Sequence, residues 1–308
     1  MQLSLKKIVG GIIAFIIINS LFVSYILPSL ALLGIVFGNY TYCWIYAICF
    51  FVARMIIKCV DMFGIHNTII HDCLQHYFAV ENINKPDLAT INDKNLFTYH
   101  PHGIFCSGFS AGIGFQLNEI KKCVSRLILI LPIFGDYIRF ANFVRANKNV
   151  FSKYMQSNDN LVILPGGFNE VFMTRKYEYN IYVPTGFIAM CIKHEYTIRP
   201  VLCLGENELY DTISLPKRLW KYMFNITKYI TLPFIFFYGR LCTMMPYASP
   251  ITIIYGTPIH CIKTDSVDNI YSKYCQELTT IFTSNIGTYC EKHGFDPKKY
   301  SFQIYSNN

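Results

Sequence analysis

The chain has 308 residues with 27 Lys and Arg against 19 Asp and Glu, a formal charge of +8, and it is 53% hydrophobic but only 15% charged. That composition excludes a disordered, collagen-like or disulfide-stapled chain, and a charged fraction well below the usual quarter or so points to contact with lipid. The 12 cysteines are scattered with no C-x-x-C pair, which reads as buried thiols in a reducing compartment. Lys and Arg form no run and accompany no nucleic-acid motif, so the positive balance suits an anionic membrane surface or a phosphorylated cosubstrate.

From Ile8 to Ala53 there is no Asp, Glu, Lys, Arg or His. A spanning helix needs about 20 apolar residues, so this stretch predicts a helical hairpin. One arm is expected near Ile8–Leu27 and the other near Leu30–Ala53, with Pro28-Ser29 or Gly38-Asn39 as the turn. Lys6 and Lys7 before the run and Arg54 and Lys58 after it place both ends on the cytosolic side. The run is too long for a cleaved signal peptide. The sequon Asn39-Tyr40-Thr41 reads as a chance tripeptide against the bilayer.

No repeat or long linker follows, so a hairpin over 1–58 and one cytosol-facing domain over 59–308 are expected. Short apolar runs predict strands at Leu96–Tyr99, Leu127–Leu131, Leu161–Leu164, Ile198–Leu204 and Ile251–Tyr255. Amphipathic stretches predict helices at Ile104–Gln116, Tyr137–Val144, Val150–Met155, Gly186–His194, Lys217–Tyr229 and Val267–Cys290. Their alternation implies an α/β sheet covered on both faces. The segment Tyr229–Tyr238, interrupted by Pro233, reads either as a buried strand or as an apolar surface that dips into the membrane or lines an acyl channel.

Sites in α/β sheets collect at the carboxyl ends of strands. Tyr99-His100-Pro101-His102-Gly103 follows one predicted strand and offers two imidazoles on a rigid turn, with a glycine that lets a substrate approach. Such a histidine could take the proton of an attacking alcohol. Leu164-Pro165-Gly166-Gly167-Phe168-Asn169-Glu170 follows another; the Gly-Gly turn could expose N–H groups to an oxyanion, and Glu170 could orient a histidine. Gly205-Glu206-Asn207-Glu208 reads as a helix cap with acids in its first turn, ahead of a catalytic carboxylate pair.

Metal and covalent chemistry fit less well. His66, His71 and His76 recur every five residues, about 140° apart around a helix, and no H-E-x-x-H or facial-triad run is present. No G-x-S-x-G elbow or P-loop occurs either. What remains is a membrane-anchored α/β protein suited to direct transfer between two bound substrates.

On YHPHG (Tyr99–Gly103), GGFNE (Gly166–Glu170), RPVLCLGENELY (Arg199–Tyr210), Gly239-Arg240, IIYGTPI (Ile253–Ile259) and a closing helix over Val267–Leu278 with Tyr271, the chain resembles the type-2 diacylglycerol acyltransferases. That family also includes monoacylglycerol and wax-ester acyltransferases. The resemblance implies a glycerolipid-acyltransferase-like domain, acyl-CoA as cosubstrate with no other cofactor, a diacylglycerol acceptor, and a setting of endoplasmic reticulum membrane lipid and lipid droplets. The residues carry no nucleic-acid motif, so no nucleic-acid partner is expected, and the resemblance is compatible with a homo-oligomer.

By position the resemblance makes His102, His100 and Glu170 the catalytic candidates, with Gly103, Gly166, Gly167, Glu206, Asn207 and Arg240 as substrate or oxyanion contacts. The wider superfamily places an Asp four positions after its histidine; here Cys106 follows His102 at that offset, so Glu170 is the expected orienting acid. Pro184-Thr185 stand where many members have a basic pair, and Phe168 replaces a commonly small residue.

The expected reaction has His102 as general base, oxyanion support from amides near Gly103 or Gly166-Gly167, and His100 orienting its neighbour or holding the turn. Monoacylglycerol, a fatty alcohol or a sterol-like alcohol are alternative acceptors. An inactive lipid-binding or droplet-scaffolding protein is the rival of another class.

Overall fold

In a computed structural model of the chain, residues 2–38, 40–62, 69–87, 94–114, 120–131, 134–140, 142–213 and 235–306 are described, with 216, 218, 219, 222 and 225. The apolar N-terminus forms two helices, α1 (Gln2–Val36) and α2 (Thr41–Met62). Of the two expected turns, Pro28-Ser29 is not one, because α1 runs through Pro28. The chain breaks instead between Val36 and Thr41, where Gly38 takes φ +70°, a conformation glycine enters without steric cost.

α1 buries Ala14 and Ile18 against Leu74 and Tyr77 of α3 (His71–Tyr77). Lys6 pairs with Asp72 at 2.7 Å, and Arg54 of α2 pairs with Asp136 at 3.3 Å. The outward faces expose Leu5, Ile8, Ile12 and Ile16 on α1 and Trp44, Ile48, Phe51 and Ile56 on α2. Among the described residues no helix is long and apolar enough to cross a membrane.

The rest of the chain is built on a mixed sheet of β1 (Glu81–Ile83), β2 (Asn95–His100), β3 (Lys121–Val124), β4 (Phe143–Arg145), β5 (Leu161–Ile163), β7 (Thr197–Leu204), β10 (Thr252–Tyr255) and β11 (Ile259–His260). Its order is β1-β10-β7-β2-β5-β3-β4, with β11 also on β7. The run from β7 to β4 is parallel, and β10 joins β7 antiparallel. β6 (Glu178–Tyr182) pairs with β12 (Ser301–Tyr305), and β8 (Asp211–Thr212) with β9 (Phe237–Tyr238).

Every residue of β2 is buried, as both faces of a parallel sheet are when covered. Alternate side chains feed two cores. Leu96, Leu161, Ile198 and Leu202 pack beneath α7 (Lys148–Gln156), α9 (Gly186–His194) and α10 (Val267–His293), while Phe97, Tyr99, Val162 and Val201 pack on the side of α1 and α3.

Three expectations are corrected. Leu127–Leu131 is not a strand: Arg126–Ile130 is helix α5, since a five-residue apolar run fits either period. The strand lies just before it in Lys121–Val124, masked in hydropathy by Lys122, which is buried with its ammonium 5.8 Å from the Phe143 ring centre. The helix expected over Tyr137–Val144 is α6 (Phe134–Phe140), and Phe143–Arg145 is strand β4. The helix expected from Ile104 begins only at Ser107, as α4 (Ser107–Phe109), and continues to Gly114. The helix expected over Lys217–Tyr229, His66 and most of Tyr229–Tyr238 lie outside the described residues; of that last segment Phe237-Tyr238 forms β9.

Candidate active site

β2 delivers His100 to its carboxyl end, and the chain then turns through a cis His100–Pro101 bond, His102 and Gly103. β5 ends beside it, because Leu96–Thr98 pair in parallel register with Leu161–Ile163. The Pro165-Gly166-Gly167 turn then opens α8 (Gly167–Met173), whose first turn carries Glu170.

His100 is wholly buried, with Nδ1 2.5 Å from Oε1 of Glu170 and Nε2 3.0 Å from the Tyr274 hydroxyl. A carboxylate can only accept, so Nδ1 carries the proton and Nε2 accepts from Tyr274. The same carboxylate accepts from the amides of Tyr182 at 2.9 Å and His102 at 2.7 Å. Glu170 therefore fixes the His100 ring and the main chain of His102 at once. A Cβ on Gly166 would run into that carboxyl, which is why the turn is glycine there.

His102 is only partly buried, and its Nδ1 lies 3.0 Å from the Gly103 carbonyl. A carbonyl oxygen has no proton to give, so Nδ1 holds the proton and Nε2 keeps a lone pair. The Cys106 sulfur sits 3.2 Å from Nδ1 and 3.4 Å from Nε2. Burial holds the His102 imidazole below its usual pKa, against weaker upward pushes from the Gly103 carbonyl and the Glu170 carboxylate. Burial likewise pushes the Cys106 thiol well up, so a neutral thiol rests against a neutral imidazole.

Glu206 packs against the turn at Gly103. It accepts from the amides of Ser107 at 2.9 Å and Gly108 at 2.7 Å, so it caps α4 from a different part of the chain. Burial pushes its carboxyl up to about 8, outweighing those hydrogen bonds and one from Tyr99. Gly103 takes φ +60°, and a Cβ there would come within 2.6 Å of Glu206 Cγ. Only glycine satisfies both the backbone and the space.

Of the other sequence-based candidates, some touch the His turn and some do not. The Glu206–Glu208 segment is a single 3-10 turn whose acids point elsewhere: Glu206 caps α4, and Glu208 accepts from the Tyr179 hydroxyl at 3.2 Å. Asn207 is buried and donates to the Glu178 carbonyl at 2.7 Å. Arg240 is exposed beside the Tyr77 hydroxyl and touches none of the His-turn residues among the described contacts. The Gly167 amide is engaged by the Leu164 carbonyl at 3.1 Å, so it is not available to an oxyanion. The amides of Gly103 and Ile104 make no hydrogen bond among the described residues.

Tyr274, three positions beyond the Tyr271 of the closing-helix resemblance, is the tyrosine that reaches His100. The buried face of α10 runs Ile270, Tyr274, Leu278, Ile281, a 4-4-3 spacing that could have found it. Among the described residues no three His, Cys, Asp or Glu side chains gather as a metal site.

Residues 40–300 match the family model described as Diacylglycerol acyltransferase. The 2-acylglycerol O-acyltransferase 1 of Mus musculus is 26% identical over 242 residues, 70% of this chain and 72% of that one. Diacylglycerol O-acyltransferase 2 of Rattus norvegicus is 23% identical over 248 residues, 72% of this chain and 64% of that one. Diacylglycerol O-acyltransferase 1 of Schizosaccharomyces pombe is 26% identical over 231 residues, 66% of each. Among solved structures, the crystal structure of the 1-acyl-sn-glycerophosphate acyltransferase PlsC from Thermotoga maritima is 14% identical, with a TM-score of 0.38 over 85% of this chain and 94% of that one, a likeness too slight to argue from. The span matched by the family model contains the His turn, the Gly-Gly turn, the Glu206 cap and Tyr274, and on that extent the chain belongs to the diacylglycerol acyltransferase family.

Proposed function

We propose that this protein is an acyl-CoA-dependent O-acyltransferase that makes triacylglycerol from diacylglycerol by direct transfer, with His102 as the general base. The observation that carries the reading is the state of the His102 ring: its Nδ1 faces the Gly103 carbonyl at 3.0 Å, which leaves the lone pair on Nε2. As the acceptor oxygen attacks the thioester carbonyl, its proton passes to Nε2. The amides of Gly103 and Ile104 are the donors available to the oxyanion that forms. When the C–S bond breaks, the imidazolium returns the proton to the leaving CoA thiolate. His100 is a positioning residue, because both of its ring nitrogens are engaged in the interior.

The hairpin supports a lipid setting for this chemistry. α1 and α2 turn large apolar side chains outward along most of their length, a surface that water would not cover without cost. The reading places the protein in the endoplasmic reticulum membrane with the sheet domain on the cytosolic side, within reach of droplets.

Label transfer tests it. Membranes from cells lacking their own neutral-lipid synthesis, expressing the chain, are given labelled acyl-CoA with diacylglycerol, monoacylglycerol or fatty alcohol separately. Label in triacylglycerol is expected. Label only in diacylglycerol or wax ester would move the acceptor, and label in none from a well-folded protein would favour the lipid-binding scaffold.

A further inference from the structure

A second cleft lies away from the His turn, at the other end of the parallel strands. It has a volume of about 290 Å3 and is lined by Asn84, Pro86, Arg199, Tyr255, Gly256, Thr257 and Pro258. Arg199 of β7 pairs in register with Phe97 of β2, three residues before His100. At about 3.3 Å per strand residue that is roughly 10 Å back from the end carrying the His turn.

Among the described residues Arg199 is a cation without a counter-charge. Its Nε donates to Asn95 Oδ1 at 2.7 Å and its guanidinium lies 5.9 Å from the Phe97 ring centre, which fixes the fork in place. Among the described residues it forms no ion pair with any carboxylate. Glu277, which borders Gly256, is engaged by the Thr257 amide at 2.6 Å. A half-buried guanidinium always carries its charge, and proteins pair such charges. Arg199 therefore lines the cleft with no carboxylate paired to it among the described residues. The Asn84 side-chain amide and the Thr257 hydroxyl, also in the lining, make no hydrogen bond among the described residues.

We infer that this cleft binds a phosphate group, with Arg199 as its bidentate partner and Asn84 and Thr257 as further donors. A tetrahedral anion suits donors from three chain segments, and planar Arg forks match phosphate geometry. The volume, near the lower end for small-molecule sites, fits a head group rather than an acyl chain. The source is either soluble phosphate or a phospholipid head group. The inference does not rest on the acyl-transfer reading and would stand if that reading failed.

The test is thermal unfolding of the detergent-solubilised full chain, in inorganic phosphate against chloride at equal ionic strength, and in mixed micelles with phosphatidate against phosphatidylcholine. Mass action predicts a rise of a few degrees in the wild-type midpoint near ten times Kd. Arg199→Gln should abolish the rise and Thr257→Val should reduce it, while Lys263→Gln, on an exposed loop, should leave it intact. A rise with inorganic phosphate assigns a soluble ligand; a rise with phosphatidate alone assigns a head group. The inference is overturned if the wild type rises in neither, or if the rise survives in Arg199→Gln. If Arg199→Gln does not fold, an unchanged rise in Thr257→Val overturns it.

Discussion

Glu170 Oε1 lies 2.5 Å from His100 Nδ1, whereas it reaches His102 only through the main chain, where Oε2 accepts from the amide at 2.7 Å. The acid and the two histidines thus form no relay through side chains. One histidine is locked in the interior, and the other sits partly buried on a backbone that the acid holds.

Glu170→Gln should therefore damage architecture as well as rate. The carboxylate accepts from three N–H donors, and the amide of Gln would turn a donor toward one of them. A buried mismatch of this kind costs about 1–3 kcal/mol. Denaturant unfolding should show the lower midpoint, and kcat should fall more than KM rises; an unchanged midpoint would mean that the carboxylate does not organise the turn.

Tyr274→Phe isolates the other contact of His100. The ring should keep its packing on Phe187, at 5.4 Å between centres, while the hydroxyl that donates to Nε2 is lost. An unmet buried acceptor costs about 1–3 kcal/mol, and the same loss in Tyr274→Phe/His100→Ala as in His100→Ala alone would show that the two residues act through one bond.

Glu206 makes stability depend on pH. Its folded carboxyl is raised from the ordinary 4.5 to about 8, so the folded state binds the proton more tightly than the unfolded chain. This contribution is complete below about pH 4.5 and is lost as pH rises toward 8. Glu206→Gln should remove that part of the fall in stability between pH 5 and 8. An unchanged pH profile in the variant would show that the caps on Ser107 and Gly108 hold the carboxylate ionised.

The acid limb of the activity profile reports on His102. Burial lowers its pKa from 6.5, so the ring remains an unprotonated base in mildly acid buffer. The rate with saturating acyl-CoA should fall through a midpoint below 6.5, and a midpoint above it would point to a different base.

Much of this site was legible before the structure because its parts are local. His100 to Gly103 and Gly166 to Glu170 each follow an apolar strand at the end where sites collect, and the sheet brings those two ends together through the Leu96–Leu161 register. The rest depends on contacts between distant segments. Glu206 is about a hundred positions from the amides it caps, and Tyr274 lies 174 positions beyond His100, so no spacing rule reaches them. The strand Lys121–Val124 was hidden for a related reason: Lys122 is buried in it, and hydropathy reads a lysine as surface. The hairpin turn was open between two punctuating signals, and α1 continues through Pro28.

The most direct test of the account compares His102→Ala with His100→Ala, measuring label transfer from acyl-CoA to diacylglycerol and thermal unfolding on the same preparations. His102→Ala should unfold within a degree or two of the wild type while losing a factor of roughly 10²–10⁴ in rate. His100→Ala should lose stability together with activity, since it empties a wholly buried position between Glu170 and Tyr274. A His102→Ala protein that transfers label at the wild-type rate would contradict the account.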